Sequence, residues 1–319
     1  MSEAPILSLK GLTRRFSTGG GLLRKARSMT AVRDVSLDVA RGDIVGIVGE
    51  SGCGKSTFAR LAMRLLEPSE GSIIFEGQDV THVRGHGLQD LRKKLQMVFQ
   101  DPYSSLDPRY TVRDCLSEPF IALGEAVPPG RVEELLDLVG LPRAFADNYP
   151  HQMSGGQRQR VGIARALAYQ PDFIVLDEPT ASLDVSIQAQ IIGLLQQLHR
   201  EAGLTYLFIS HDLGLVRYFC SRIVVMYLGS VVEIIEDPRA RPRHPYTAAL
   251  MASSFAPDPA ARAEIVPLEG EIPSPFNLPA GCPFAPRCPR VQSRCESERP
   301  SLSLLEGGQR VACFNPIEA

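Results

Sequence analysis

The stretch that decides the fold is Gly49-Glu50-Ser51-Gly52-Cys53-Gly54-Lys55-Ser56-Thr57. It satisfies the pattern G-x-x-x-x-G-K-[ST], whose glycines allow the backbone to turn its N–H groups toward phosphate oxygens. The apolar run at 44–48 predicts a buried strand before it, and residues 58–66 predict a helix behind it that begins near Lys55. Because the N-terminus of a helix attracts anions, this order of strand, loop and helix predicts a phosphate-binding site in an α/β domain.

Individual side chains of this loop have distinct expected roles. Lys55 is expected to reach the terminal phosphates, and the Ser56 hydroxyl to take one position on Mg²⁺. The residues expected to contact the nucleotide here are Gly49, Ser51, Gly52, Cys53, Gly54, Lys55, Ser56 and Thr57. Upstream, Phe16 is either an ordinary core aromatic or a side chain that stacks on adenine.

Composition and charge set limits on the function. The 319 residues are 44% hydrophobic and 22% charged, with a net charge of −2, so the balance is that of a soluble globular protein and gives no electrostatic reason to expect nucleic acid. We find no signal peptide and no apolar run long enough to span a membrane, which predicts a cytoplasmic protein. Seven cysteines then favour a metal site or isolated thiols over a disulfide framework.

The segment before the phosphate loop predicts two strands and a loop. Residues 5–16 are predicted to form an edge strand and residues 31–39 a second strand. Between them, residues 17–30 carry three glycines and the cations Arg24, Lys25 and Arg27. These charges are either simply solvated or contact a partner or lipid headgroups.

A second glycine loop follows a long helical stretch. Residues 112–168 have helical periodicity interrupted by proline and glycine, which predicts a helical insertion. Near its end, Ser154, Gly155, Gly156 and Gln157 precede a helix predicted at 158–169. A hydroxyl, bare backbone N–H groups and a helix dipole together predict a second phosphate cradle.

Acidic and polar residues follow three predicted strands. The strand at 173–178 ends in Asp177, which we assign to Mg²⁺, and Glu178, which we assign to the attacking water. His211 follows the strand at 205–209 and is predicted to contact the γ-phosphate. Gln100 follows the strand at 95–99.

With these residues in place, the chain closely resembles the ATP-binding subunit of ABC transporters over about residues 5–240. Six segments resemble the motifs of that family, in the same order. They are Gly49–Thr57 for Walker A, Gln100 for the Q-loop, Ser154–Gln157 for the signature loop, Ile174–Glu178 for Walker B, Ser182–Asp184 for the D-loop and His211 for the switch histidine. Met153 departs from the usual Leu, a change between apolar side chains of similar volume.

The resemblance implies a P-loop ABC ATPase with a β-sheet core in residues 1–240 and a helical subdomain at about 101–168. Two such subunits would sandwich two ATP molecules, each between the phosphate loop of one and the Ser154 loop of the other. Catalysis would use Glu178 on the water, with His211 and Gln100 sensing the γ-phosphate. Ser56, Gln100 and Asp177 would hold Mg²⁺.

Residues 241–319 form a small extension rich in cysteine and proline. Four thiols, Cys282, Cys288, Cys295 and Cys313, are typical of a Cys₄ site. The segments at 244–247, 270–275 and 282–289 resemble the C-terminal region of oligopeptide and dipeptide ABC ATPases, some of which hold a [4Fe–4S] cluster. An iron–sulfur cluster, zinc and no metal all remain open.

The same resemblance implies the partners. Residues 101–109 are similar to the second ATPase of peptide importers, which acts as a heterodimer with another ABC ATPase. We therefore expect two transmembrane permeases, an extracytoplasmic solute-binding protein, no nucleic acid, and a peripheral location on the cytoplasmic face of the membrane. Importers of nickel, glutathione, opines or sugars share this architecture. A soluble ABC ATPase acting on ribosomes or DNA, and a regulatory module that binds ATP without hydrolysing it, are the alternatives.

Overall fold

A computed structural model describes residues 4–18, 27–101, 103, 105–253, 270–306 and 308–318. The chain divides into two units, one made of Met1–His82 with Ser210–Ala319 and the other of Val83–Ile209. They are called the first and the second unit below. Arg24 and Lys25, two of the three cations predicted to lie in an exposed loop, fall outside the described residues, as does the side chain of Arg27.

The described residues alternate between strands and helices, as predicted for an α/β protein. The strands are β1 Leu7–Thr18, β2 Arg27–Val39, β3 Ile44–Val48, β4 Glu70–Phe75, β5 Gln78–Asp79, β6 Leu95–Val98, β7 Phe173–Asp177, β8 Thr205–Ile209, β9 Arg222–Tyr227, β10 Ser230–Ile235, β11 Ser303–Leu304 and β12 Arg310–Val311. The helices are α1 Lys55–Ala62, α2 His86–Lys94, α3 Val112–Ala122, α4 Arg131–Leu138, α5 Gly155–Ala166, α6 Val185–Ala202, α7 Leu213–Phe219, α8 Pro245–Ser253 and α9 Ser293–Ser297. Short 3₁₀ turns lie at Arg143–Asp147, Pro150–Gln152 and Ala285–Arg287.

The first unit contains two sets of paired strands. One is antiparallel in the order β2-β1-β4-β5, and the other runs β11-β12-β10-β9-β3. In the second set β3 pairs in parallel with β9, while β9, β10 and β12 pair antiparallel. Every residue of β3 is buried, which explains why its sequence is a continuous apolar run rather than an alternating one. The phosphate loop leaves the end of this buried strand.

The second unit is built on three parallel strands in the order β8-β7-β6. All five residues of β7 and all five of β8 are buried. The helical periodicity predicted for residues 112–168 corresponds to α3, α4 and α5 with the two 3₁₀ turns between them. The carboxyl end of β7 carries Asp177 and leads directly into Glu178.

Two local predictions were wrong. The strand at 5–16 is not an edge strand, because β1 pairs with β2 on one side and β4 on the other. The alternation of apolar residues showed that one face is buried but not how many neighbours the strand has. Part of the predicted loop at 17–30 is also strand, since β1 extends to Thr18 and β2 begins at Arg27.

Both predicted helices are present. The helix behind the phosphate loop starts at Lys55, as expected, and ends at Ala62, whereas the helix predicted at 158–169 starts at Gly155. In the second case Ser154 is the N-cap and forms a capping box with Gln157, so the predicted phosphate cradle is itself the first turn of the helix. β9 and β10 form an antiparallel hairpin around Gly229.

Candidate nucleotide site

The phosphate loop holds its shape through close backbone packing. Gly54 has a φ of +108°, and a Cβ added there would lie 2.3 Å from the carbonyl oxygen of Ala31. The Gly229 N–H donates to the Cys53 carbonyl at 2.7 Å, and the Arg33 N–H donates to the Gly229 carbonyl at 2.8 Å. Only glycine fits position 54, because any side chain would meet backbone that is itself fixed by these hydrogen bonds.

Lys55 lies inside the loop. Its side chain is almost fully buried at 6% exposure, and Nζ donates to the carbonyls of Gly49 at 2.7 Å and Glu50 at 3.2 Å. A buried ammonium needs such partners. The loop therefore forms a cradle around its own lysine, with backbone carbonyls as the acceptors.

The other loop residues predicted to contact the nucleotide differ in their exposure to solvent. Ser51 and Gly52 are exposed, while Ser56 and Thr57 are half-buried in the first turn of α1. Cys53 is buried, and burial raises the pKa of its thiol, so this side chain fills space within the loop.

Two predicted nucleotide contacts of the first unit lie outside the loop. Phe16 is half-buried in β1, and the Arg14 guanidinium carbon lies 4.8 Å from its ring centroid. His211 is exposed and directly precedes Asp212, the N-cap of α7.

In the second unit the structure brings Gln100 and Glu178 together. Gln100 Nε2 donates to Glu178 Oε2 at 3.1 Å, although the two residues are 78 apart in sequence. Glu178 has a φ of +48°, which is uncommon for a residue with a side chain, and its N–H donates to the Ile209 carbonyl at 2.9 Å. Asp177, the preceding residue, is only 5% exposed at the end of β7. The strained backbone separates the environments of these two neighbouring carboxylates.

The Ser154 loop is organised by side chains as well as by glycine. The Gln157 N–H donates to Ser154 Oγ at 3.3 Å, and the Ser154 N–H donates to Gln157 Oε1 at 2.9 Å. A Cβ added to Gly156 would lie 2.6 Å from Ile187 Cγ2 in the first turn of α6, so this glycine is required by packing. Gly155 is half-buried beside it.

A groove of about 460 Å³ lies within the second unit. It is lined by residues of α2, β6, α3 and α5, together with Phe99, whose side chain is 43% exposed. The Lys93 ammonium and the Tyr169 hydroxyl at this groove both bond to Glu125, at 2.5 and 2.8 Å. Burial and the Glu125 carboxylate raise the pKa of Tyr169 to about 12. Phe99 at the groove directly precedes Gln100, which bonds to the predicted catalytic carboxylate of Glu178.

The four cysteines of the extension do not form a metal site in this structure. The Cys282 N–H donates to the Cys295 carbonyl at 2.8 Å. Burial raises the pKa of the Cys282 and Cys288 thiols, and that of Cys313 to about 11. Yet within the described residues no three His, Cys, Asp or Glu side chains are arranged to hold a metal ion.

Sequence reasoning missed two residues of the extension that contact the phosphate loop. Arg287 pairs with Glu50, and Tyr246 Oη accepts from the Glu50 N–H. These contacts span 237 and 196 residues, and no local pattern indicates them.

Two family models match this chain. The family described as ABC transporter matches residues 32–181, and the one described as oligopeptide/dipeptide transporter, C-terminal region, matches residues 232–295. The two matches fall on the parts of the sequence from which the two resemblances were drawn.

Proteins similar over nearly the whole length carry related names. A putative peptide import ATP-binding protein of Brucella ovis is 46% identical, with 98% of this chain and 99% of that protein covered. The oligopeptide transport ATP-binding protein AppF of Bacillus subtilis is also 46% identical, with 98% of each covered. The probable peptide ABC transporter ATP-binding protein y4tS of Sinorhizobium fredii is 47% identical, with 98% of this chain and 90% of that protein covered.

Solved structures of similar fold are ATP-binding cassettes. The cassette MJ0796 in a dimeric, post-hydrolysis state bound to ADP and Pi has a TM-score of 0.64 and 32% identity, covering 74% of this chain and all of that one. The structure of cbiO1 from Clostridium perfringens, part of the complex cbiONQ, gives a TM-score of 0.64 at 31% identity, with 74% of this chain and 90% of that one covered. Among the residues described here, no helix is both long and apolar enough to cross a membrane.

Proposed function

The chain belongs to the family of ATP-binding subunits of oligopeptide and dipeptide ABC transporters, and we propose that it hydrolyses ATP to drive peptide import through a membrane permease. The observation that carries the hydrolytic part is the pairing of Glu178 with Gln100 at the end of a buried strand, with Asp177 beside it. The peptide is inferred from the names of full-length relatives. Those names also disfavour a soluble ATPase acting on ribosomes or DNA.

The nucleotide would be held by the first unit. Backbone N–H groups of Gly49–Thr57 and the N-terminus of α1 would bind its phosphates, with Lys55 as the cation. The cradle around Lys55, closed at Gly54 where a Cβ would clash, supports this role. Phe16 would stack on the adenine and His211 would contact the γ-phosphate.

Mg²⁺ fits the donor set proposed for it, since Ser56, Gln100 and Asp177 supply only oxygen ligands. When bound, it would neutralise charge on the β- and γ-phosphates. Glu178 would accept a hydrogen bond from the attacking water and orient it in line with the γ-phosphate. Gln100 would fix the carboxylate in place through its bond to Oε2.

The Ser154 loop would complete the site of a second ATPase subunit. Ser154, Gly155, Gly156 and Gln157 lie at the N-terminus of α5, where backbone N–H groups and the helix dipole favour a γ-phosphate. A related cassette has been solved as a dimer. We propose a heterodimer with another ABC ATPase, because residues 101–109 are similar to the second ATPase of peptide importers.

The groove of the second unit is proposed to receive a cytoplasmic segment of the permease. An aromatic side chain that is 43% exposed, Phe99, lies at this groove and directly precedes Gln100. Movement of a segment docked against Phe99 would be transmitted to Glu178 through Gln100, which bonds to it. Two permeases, a solute-binding protein and a peripheral membrane location complete the proposed importer.

The proposal that the four-cysteine segment holds a [4Fe–4S] cluster rests on the chemistry of its thiol donors alone. Among the described residues, no three His, Cys, Asp or Glu side chains are arranged to hold a metal ion. Zinc and no metal are the alternatives. Metal analysis of anaerobically purified protein decides among them, because protein with neither iron nor broad visible absorption would exclude the cluster.

The hydrolytic proposal is tested by Glu178→Gln. ATP binding should be retained while steady turnover falls at least about 100-fold, as expected when a water-orienting base is lost. Glu201→Gln, an exposed change in the last turn of α6, is the matched control and should hydrolyse ATP at the parental rate. Hydrolysis by Glu178→Gln at the parental rate would refute the assignment.

The transport proposal is tested by recovery of partners from membranes with this chain as bait. Two multi-spanning permeases and a second ATPase should be recovered, and Phe99→Ser should lose them. Tyr218→Ser is the control, because Tyr218 is 70% exposed and does not line the groove. Recovery of ribosomal or DNA-repair proteins alone would overturn the transport function.

A further inference from the structure

A 3₁₀ turn of the C-terminal extension contacts the phosphate loop. Arg287 Nη1 donates to Glu50 Oε2 at 2.8 Å, and Nη2 donates to Glu50 Oε1 at 3.0 Å. The two parallel bonds fix the direction of the carboxylate as well as its distance. The Arg287 side chain is 6% exposed and that of Glu50 23%, so this pair is largely shielded from solvent. Glu50 is the second residue of the phosphate loop.

The extension holds the backbone of Glu50 as well. Tyr246 Oη accepts a hydrogen bond from the Glu50 N–H at 2.8 Å. Tyr246 is fully buried, and burial raises the pKa of its hydroxyl. A buried N–H that lost this acceptor would be costly. Glu50 is therefore anchored at two points, its carboxylate and its N–H, both by residues that follow position 240.

The anchoring residues are themselves fixed by an aromatic cluster. The rings of Tyr246 and Tyr227 lie 4.7 Å apart, and the Phe284 ring lies 5.5 Å from Tyr246 and 5.4 Å from Tyr227. The Arg287 N–H donates to the Phe284 carbonyl at 2.9 Å, and its Nη1 lies 3.4 Å from Tyr227 Oη. Packed rings of this kind leave little freedom to the groups attached to them. Glu50 is thus held by a rigid support.

The position of Glu50 determines where Lys55 finds its acceptors. Lys55 Nζ donates to the carbonyls of Gly49 and Glu50. The Gly49 carbonyl shares a peptide unit with the Glu50 N–H that Tyr246 accepts, and the Glu50 carbonyl lies in the next peptide unit, on the other side of the Glu50 Cα. A shift of Glu50 would therefore move the groups that direct the Lys55 ammonium before nucleotide arrives.

We propose that Arg287 and Tyr246 are positioning residues for the phosphate loop, and that the C-terminal extension thereby sets the affinity of this subunit for ATP. Neither side chain contacts the reacting atoms, and both act through Glu50. The inference rests on the proposed role of Gly49–Thr57 in binding phosphate. It assigns to the extension a part in the nucleotide site of its own chain.

The test measures ATP binding and the kinetic constants of hydrolysis in the full-length chain. Tyr246→Phe removes only the hydroxyl that accepts from Glu50, and Arg287→Lys removes the paired geometry but keeps the charge. Each should raise both Kd and KM for ATP about 5- to 20-fold while kcat changes less than about 3-fold, because binding geometry is affected and the attacking water is not. Arg287→Met should have the larger effect.

A double substitution separates positioning from general loosening. Arg287→Met and Glu50→Gln remove the two ends of one contact, so the combined variant should bind ATP no more weakly than the worse single variant. Arg294→Ala is the control within the same extension, because Arg294 pairs with Glu298 and both side chains are more than half exposed. It should bind ATP as the parent does.

The Lys55→Ala variant distinguishes a failure of the positioning role from a failure of the phosphate-binding role of the loop. It should lose ATP binding by more than about 50-fold if the loop binds phosphate as proposed. If it does so while Tyr246→Phe and Arg287→Lys, folded by circular dichroism, bind ATP within about twofold of the parent, the positioning role is refuted and the loop assignment stands. Unchanged binding by Lys55→Ala would instead refute the role of the loop.

Discussion

Two loops of this chain, Gly49–Thr57 and Ser154–Gln157, both open a helix with glycine and hydroxyl residues, yet they are stabilised differently. In the first, Gly54 occupies the N-cap position of α1 in a left-handed conformation. In the second, Ser154 is the N-cap of α5 and exchanges hydrogen bonds with Gln157. In the first loop, the neighbouring backbone leaves no space for a side chain at Gly54. The second loop is stabilised by the reciprocal hydrogen bonds between Ser154 and Gln157.

The difference shows that glycine can be required for different steric reasons in loops of similar sequence. Gly54 is required because a Cβ would strike backbone, the carbonyl of Ala31. Gly156 is required because a Cβ would strike a side chain, Ile187 Cγ2, which can move. The phosphate loop should therefore be intolerant of change, and the Ser154 loop should be open to compensation.

The largest effect is expected from Gly54→Ala. Left-handed strain of about 1–3 kcal/mol adds to the clash at 2.3 Å, so the free energy of unfolding should fall by at least about 3 kcal/mol in urea titrations. Gly52→Ala is the control, because φ is also positive at +77° but no atom lies within 4 Å of the added Cβ. It should lose only about 1 kcal/mol. Equal losses would mean that strain alone, and not packing, requires glycine at 54.

Gly156→Ala should cost less and should be open to rescue. Overpacking against Ile187 is expected to lower the free energy of unfolding by about 1–2 kcal/mol. Ile187→Ala should relieve the clash, so the double variant should be more stable than the sum of the two single losses predicts. Gly162→Ala, in the same helix with open space around it, should instead gain about 0.5–1 kcal/mol. Strictly additive losses would contradict this account of Gly156.

Substitutions of Ser154 separate its cap from its proposed phosphate contact. Ser154→Ala should lower the free energy of unfolding by about 1 kcal/mol through loss of the cap. Ser154→Asp should preserve that free energy within about 0.5 kcal/mol, because aspartate is an equally good cap. It should nevertheless lower ATPase activity, since a carboxylate repels the γ-phosphate. Normal activity in Ser154→Asp would remove Ser154 from the nucleotide site.

The smallest effect is expected at Asp184, the N-cap of the helix that carries Ile187. The Ile187 N–H donates to Asp184 Oδ1 at 3.0 Å, and this bond, with that from Ser186, lowers the pKa of the carboxyl. Because the folded pKa is below the unfolded one, the stabilisation is present at neutral pH and is lost as pH falls below about 4. Wild type and Asp184→Ala should thus differ in unfolding midpoint at pH 7, and the difference should shrink as pH falls through the lowered pKa of the folded carboxyl. A constant difference would show that the charge is irrelevant.

The sequence predicted best those parts that depend on neighbouring residues. The phosphate loop and the buried strand ending in Asp177 each carry a local pattern, and the structure contains both elements. The capping-box pattern of Ser154 and Gln157 is also present in the sequence. The glycines at 155 and 156 nevertheless led to a predicted helix start at residue 158, three residues after the observed start at Gly155.

What escaped prediction depends on distant pairing. β1 pairs with β2 on one side and with β4 on the other, and nothing within residues 5–16 indicates how many strands pair with it. The contact of Arg287 with Glu50 joins two polar residues with no periodicity to link them. The spacing of the four cysteines likewise does not show how their thiols are arranged in space, and among the described residues no three His, Cys, Asp or Glu side chains are arranged to hold a metal ion.

Glu233, in β10, joins that strand to the start of the C-terminal extension. Its carboxylate has no solvent exposure, and it accepts hydrogen bonds from the N–H groups of Arg243 at 2.6 Å and His244 at 3.1 Å. A chimera joined at residue 240 would inherit this buried acid with foreign donors or none, a defect that typically costs several kcal/mol. Recombination among such subunits should therefore preserve β10 and the start of the extension as a single inherited block.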